Sequence, residues 1–255
     1  MTRLLPSLLA LAFSVITIHL LYIGYIQPEA AVAMELAHQA GKSAPRVFVV
    51  ILKDYEQEIC LMLMVWGTFL ISAKCLSILK HRYLFDVDLL EGTAGEDGDL
   101  TSVLTSLEAL PDKISQTPLV RILIASLRRF VITNDVQNTS DAIDSSVEAL
   151  AIKQEAENSM IRYLIWAIPS IGFIGTVRGI GQALSQADQA LAGDITGMTN
   201  SLGLAFNSTL VSLLISIALM FLLHQLQRLQ DGLVVDTQDY CESFLLKRIS
   251  KVGQS

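Results

Sequence analysis

Four stretches of this chain are each long and apolar enough to form a helix across a lipid bilayer, and no other feature of the sequence restricts its fold as much. A bilayer core about 30 Å thick takes roughly 20 apolar residues in a helix, because lipid offers no partner to an unpaired backbone group. Leu4–Ile26 is interrupted only by a few polar residues and by Pro6, which a first turn tolerates. Ile59–Leu79 holds one charge, Lys74, close enough to an end for its long side chain to reach the headgroups. Tyr163–Leu184 holds only Arg178, and Met198–Leu223 has no charge.

The expected fold class is therefore an all-α polytopic membrane protein. Transmembrane helices are expected at 1–27, 59–79, 161–184 and 198–224, with external segments at 28–58 and 185–197. A helical region at 80–160 and a C-terminal helix at 225–255 are expected in the cytoplasm. Composition agrees: 52% of residues are hydrophobic and 17% charged, against about a quarter charged in soluble domains. A net charge of −7 with no Lys/Arg cluster excludes nucleic acid as a partner and leaves membrane lipid. Cys60, Cys75 and Cys241 are widely separated and read as small apolar fillers, with neither a disulfide framework nor a metal site indicated.

Orientation follows from the basic residues. Lys80, Arg82, Lys113, Arg121, Arg128, Arg129, Lys153 and Arg162 lie between the second and third runs, whereas 185–197 has none, so the long loop is cytoplasmic. Arg3 and the C-terminal Arg228, Lys247, Arg248 and Lys251 put both termini on that side too. Arg3, the first apolar run and "AVA" at Ala31–Ala33 also resemble a signal peptide. That run is longer than a typical signal core, so a retained helix is expected; cleavage would leave three spans.

Between the spans, the acidic, glycine-rich stretch from Asp86 to Asp99 reads as a solvated loop. Helical patterns broken at Pro111 and Pro118 follow. In "LVRILIASLRRF", Leu119, Ile122, Leu123 and Leu127 share one face and are expected to pack on neighbouring cytoplasmic helices. From Thr139 onward no Pro or Gly intervenes before Pro169, which predicts one helix rising into the third span. After the fourth span, Leu222, Leu226, Leu229, Leu233, Tyr240 and Phe244 recur at helical spacing, so that helix also continues into a cytoplasmic bundle.

The third and fourth spans carry residues that a lipid-facing helix does not need. In "IPSIGFIGTVRGIGQAL", Gly172, Gly175, Thr176, Gly179 and Ala183 fall on one face of a helix, leaving it nearly bare for a close neighbour. In the fourth span Ser201, Ala205, Ser208, Thr209, Ser212 and Ser216 form a small, mostly hydroxyl stripe with Asn207 beside it. Two readings stand: the hydroxyls bond carbonyls within their own or a packed helix, or they line a wet path between helices. Arg178, about one turn from the outer end, is expected to snorkel, with Asp188 or Asp194 as a weaker alternative partner. None of the four apolar runs contains Asp or Glu. No G-x-S-x-G, P-loop or H-E-x-x-H motif is present, and His19, His38, His81 and His224 are isolated, so no enzyme is indicated; His19 is expected to bond a neighbouring helix.

"IPSIGFIGTVRGI" followed by "LGLAFNSTLVSLLISI" resembles the MotA/TolQ/ExbB family, the larger subunits of bacterial ion-driven motors and energy transducers. A proline opening the segment and the G-x-x-G-T-V-x-G run are matched by Pro169, Gly172, Gly175, Thr176, Val177 and Gly179, and an A-x-x-x-T-x-x-G/S-L pattern by Ala205, Thr209, Ser212 and Leu213. The motifs cover roughly residues 160–225; the N-terminal half matches in layout only. The resemblance implies a multi-pass protein of the bacterial inner membrane that forms a homo-oligomeric ring, commonly a pentamer. The ring surrounds a single-span ExbD/TolR/MotB-like partner carrying an intramembrane Asp. It implies no cofactor, a conducted ion that is H+ or Na+, and a route past the hydroxyls of Thr176 and Thr209; Ser208 and Ser212, on the same stripe, are expected to line that ion pathway with them. Pro169, Gly172, Gly175, Gly179 and Ala205 would serve helix packing. Many transducer-type relatives carry a glutamate near Leu204 and a proline near Ile217 or Ala218, which this chain lacks. The alternative function is a non-conducting scaffold packed through its small-residue faces.

Overall fold

The structure is a computed structural model that describes residues 4–40, 45, 47–90 and 100–252. Residues 91–99 of the acidic stretch, Arg3 and the last three residues lie outside the described residues. All regular structure among those described is helical. In chain order it runs α1 (Leu4–Leu21), a π turn (Tyr22–Ile26), α2 (Gln27–Gln39), α3 (Phe48–Leu52), α4 (Tyr55–Lys80), a 3-10 turn (Arg82–Phe85), α5 (Leu100–Glu108) and α6 (Asp112–Ser115). There follow α7 (Pro118–Thr133), α8 (Val136–Glu157), α9 (Ser159–Ser185), α10 (Ala187–Leu191), α11 (Thr196–Tyr240), a second π turn (Cys241–Leu246) and α12 (Lys247–Val252).

Four helical runs are long and apolar enough to cross a membrane, Leu5–Ala37, Tyr55–Phe85, Val136–Ser185 and Thr196–Ile249. The chain is a polytopic all-α membrane protein. "AVA" at Ala31–Ala33 lies inside α2. The single helix expected from Thr139 begins instead at Val136, capped by the Asp135 carboxylate, which accepts from Gln137 N at 2.8 Å. It is also interrupted at Asn158, whose N–H is shared between the Gln154 and Glu155 carbonyls and whose side-chain amide donates to Gln230 at 2.6 Å.

The chain divides into two compact units. Unit 1 comprises 1–72 and 160–224, and unit 2 comprises 73–159 and 225–255. In unit 1 the buried face of the first span repeats every four residues, Ser14, Ile18, Tyr22, Ile26 and Ala30. Ser14 Oγ donates to the Met62 carbonyl on α4 at 2.6 Å and Trp66 Nε1 to the Ser7 carbonyl at 3.1 Å, so α1 and α4 are joined at two levels. Gly67 admits Leu219 of α11 and Leu164 of α9, and its Cβ would lie 3.3 Å from Leu219. The outward residues of α9 and α11, such as Phe173, Val177, Phe206 and Ile217, are large, apolar and exposed, which only lipid or another protein surface makes tolerable.

Unit 2 has an ordinary apolar core. Leu119, Ile122, Leu123 and Leu127 of α7 pack with Ile143 and Val147 of α8 as the periodicity predicts. Asn134, at φ 46°, turns the chain between these helices. Tyr240 stands in this core, donating to the Val87 carbonyl at 2.9 Å and accepting from Leu89 N at 2.8 Å. Beyond Tyr240 the expected stripe fails: Phe244 is exposed, stacked on Tyr240 at 4.6 Å, and Cys241, Leu245 and Ile249 point inward. The π turn is the cause, since its wider turn rotates the helix phase there.

Candidate functional site

The bare face of α9 meets α11 in unit 1, residue by residue. A Cβ added to Gly172 would fall on the Ser212 side chain and within 2.9 Å of the Ser208 carbonyl oxygen. One added to Gly175 would meet Ser208 Oγ at 2.5 Å, and one on Gly179 would meet the backbone N and Cα of Ala205 at 2.8 and 2.9 Å. The glycines are thus sockets for Ser212, Ser208 and Ala205. Close backbone approach of this kind, not burial of oil, holds helices together in lipid.

Pro169 lies inside α9 and removes the N–H that would bond the Ile165 carbonyl one turn back. Ser216 Oγ on α11 donates to that carbonyl at 2.9 Å, and Ser212 Oγ to the Thr209 carbonyl at 3.0 Å. The hydroxyl stripe therefore divides. Ser208, Ser212 and Ser216 are buried and occupied within the chain's own helix contacts. Thr176 and Thr209 sit beside them, only half-buried, with their hydroxyls in direct contact. Thr176 Oγ1 also reaches the Ala205 carbonyl at 3.1 Å and the Gly172 carbonyl at 3.3 Å. A hydroxyl has one donor and two accepting lone pairs, so this pair presents acceptors at the edge of the seam. It can pass a proton or help ligate a cation, but it holds no charge itself.

The charged part of the site was not visible in the apolar runs. α4 starts at Tyr55, four residues before the apolar stretch, so Glu56, Gln57 and Glu58 form its first turn and are buried in the helix packing of unit 1. Successive helical residues point about 100° apart, and these three reach three different helices. Glu56 clasps Arg178 of α9 with two bonds, Oε1 to Nε and Oε2 to Nη2, both 2.7 Å. Gln57 Nε2 donates to Ser208 Oγ of α11 at 3.2 Å. Glu58 Oε1 lies 2.7 Å from His19 Nδ1 of α1, the neighbouring-helix bond expected of that histidine.

The expected partner of Arg178 is corrected here: it is Glu56 rather than Asp188 or Asp194, with Asp54 4.0 Å away and the guanidinium 4.7 Å over the Tyr55 ring. Glu56 and Glu58 stand just ahead of the second apolar run, on the helix that continues into it. Each acid is ion-paired or hydrogen-bonded by another helix, which is how such charges are tolerated beside a membrane span. The sequence signal was "EQE" at the head of an apolar run, too far out for a hydropathy window to weigh.

These features define a class, a multi-pass helical membrane protein whose last two spans meet along a glycine–hydroxyl seam braced by charge pairs from the second. Residues 114–239 match the model of the MotA/TolQ/ExbB proton channel family, and the chain belongs to that family. No curated protein and no solved structure matches the chain.

Proposed function

We propose that the chain is the ring-forming subunit of a proton channel of the bacterial inner membrane. In this reading the ring couples the electrochemical gradient to mechanical work through a single-span, ExbD/TolR/MotB-like partner whose intramembrane Asp carries the ion, and unit 2 lies in the cytoplasm. Membership of a proton channel family supports the general activity. The single observation that carries the site is the half-buried Thr176–Thr209 pair, where the two spans bring their hydroxyls together at the edge of the seam. An aspartate on a neighbouring helix would complete it, since the pair offers oxygens and lacks charge. Ser208 and Ser212 belong to closure of the helix pair in this reading, and H+ is the conducted ion. Each charge crossing 100 mV releases about 2.3 kcal/mol, so a few crossings suffice for a conformational step of several kcal/mol.

The test is ion flux in liposomes holding the chain with the acid-bearing single-span protein that co-purifies with it. Thr209→Val keeps the shape and removes the hydroxyl; flux should fall at least about tenfold, the effect of about 1.4 kcal/mol on a barrier, with assembly intact. Unchanged flux in that variant removes Thr209 from the route. Absence of any flux in the wild-type assembly favours the non-conducting scaffold, whose case rests on the fully occupied contacts of Ser208 and Ser212.

A further inference from the structure

Asp54, Glu56 and Glu58 bring three carboxylates together at one end of unit 1, faced by the cations of Lys53 and Arg178. With His19 counted as neutral, one negative charge is left over unless a proton joins them. Glu56 has a full partner in Arg178, and Glu58 has one in His19. Asp54 does not: Arg178 Nη2 stands 4.0 Å from its Oδ1, beyond hydrogen-bond reach, and its Oδ2 is buried with no hydrogen-bond partner among the described residues. Two other atoms of the same neighbourhood share that condition, the Tyr22 hydroxyl and Gln57 Oε1, each on a residue no more than 1% exposed. Tyr22 lies within electrostatic reach of both Asp54 and Glu58. Gln57 is held between Glu56 and Glu58 on the same turn.

A buried carboxylate oxygen without a donor is costly, and the usual escape is to become neutral. Burial pushes Asp54 above the ordinary carboxylate range, Lys53 and Arg178 pull against that, and the charge of Glu56 reinforces it. We propose that Asp54 is a proton-binding site of this chain. Its carboxylate takes one proton from the solvent and becomes a neutral acid, and the cluster, with His19 counted as neutral, falls from one surplus negative charge to none. The groups facing it are Lys53 and Glu56 on its own segment, Arg178 from α9 and Tyr22 from the turn after α1, with the Glu58–His19 pair one step further. That this site serves as a station on the ion's way to the threonine seam rests on the channel reading above; the binding of a proton does not.

The test is infrared difference spectroscopy on the full chain in lipid nanodiscs, titrated from about pH 5 to about pH 8, where an ordinary Asp with pKa about 3.9 is already ionised. A carboxylic C=O stretch that fades as pH rises is expected, lost in Asp54→Asn and kept in His19→Gln. A wild-type spectrum with no protonated carboxyl in that window overturns the proposal without recourse to any variant. A band that survives Asp54→Asn overturns it too, placing the proton on another carboxyl. Flux through the reconstituted complex, measured against the pH of the outer side, tests the station: Asp54→Asn should lose one titration step from the profile. An infrared band with an unaltered profile keeps the proton site and removes it from the route, whereas a band in a complex that conducts nothing sinks the channel reading alone.

Discussion

Ser216→Ala is the sharpest probe of how the third span tolerates its proline. Pro169 deprives the Ile165 carbonyl of its helical donor, and Ser216 Oγ supplies one at 2.9 Å; Ile165 and Ser216 are 5% and 6% exposed, so water does not compete. Leaving a buried acceptor unsatisfied costs about 1–3 kcal/mol, while bonds between membrane helices average about 0.6 and reach about 1.7. Because this carbonyl has lost its own helix's donor, the upper part of that membrane range applies, and Ser216→Ala should cost about 1–1.5 kcal/mol. Pro169→Ala restores an N–H four residues after Ile165. In that background Ser216→Ala should cost no more than about 0.5 kcal/mol, giving a coupling of about 1 kcal/mol. The assay is equilibrium unfolding of the full chain in mixed micelles, with wild type, both single variants and the double variant. Equal costs of Ser216→Ala in the two backgrounds would refute the idea that the serine stands in for the missing amide.

The glycine sockets differ in what a methyl group would strike. Gly179→Ala meets the backbone of Ala205 and should destabilise by about 1–3 kcal/mol, without rescue by Ala205→Gly; Gly175→Ala chiefly meets the Ser208 side chain and should be largely rescued by Ser208→Gly, both read as unfolding midpoints. In unit 2, burial raises the Tyr240 phenol and pushes the Cys241 thiol up to about 12. Both folded values lie above the unfolded ones, so this stability is full below about pH 8.5 and is lost as pH climbs through the folded values. Circular dichroism across that range should show alkaline loss of helix that begins later in Cys241→Val. Tyr240→Phe removes a donor and an acceptor, to the Val87 carbonyl and from Leu89 N, and should cost about 1–2 kcal/mol in a thermal melt.

Hydropathy and helical periodicity made the spans and most of the seam legible, because each depends on residues a few positions apart on one helix. The pairing of Gly172 with Ser212, Gly175 with Ser208 and Gly179 with Ala205 follows once two bare faces are known to meet. Two things stayed hidden. The π turn after Tyr240 changes the phase of the helix with no Pro or Gly to announce it, so Phe244 reads as core and Cys241 does not. The polar turn at the head of α4 was missed because hydropathy scores a residue by type, whereas Glu56 is acceptable in the packing only through Arg178, 122 residues away. Buried charges are legible as pairs, and pairing is a property of the fold.

That pairing also bears on the seam. Arg178 lies two residues beyond Thr176 on α9, and Ser208 immediately precedes Thr209 on α11. Glu56 and Gln57, adjacent on α4, grip those two neighbours at 2.7 and 3.2 Å. One rigid turn thus sets the relative height of the two helices where their threonines touch. Losing one member of a buried ion pair costs about 3–5 kcal/mol when both are fully desolvated; Arg178 keeps 29% of its side chain exposed, so the cost here falls below that range. Energy is not the main consequence. Glu56→Gln keeps the shape and one hydrogen-bonding oxygen but loosens the clasp on α9. A slip of about 1.5 Å, the rise of a single helical residue, is half the length of a hydrogen bond and would part the two hydroxyls. The second span therefore acts as a positioning element for a threonine pair to which it contributes no atom.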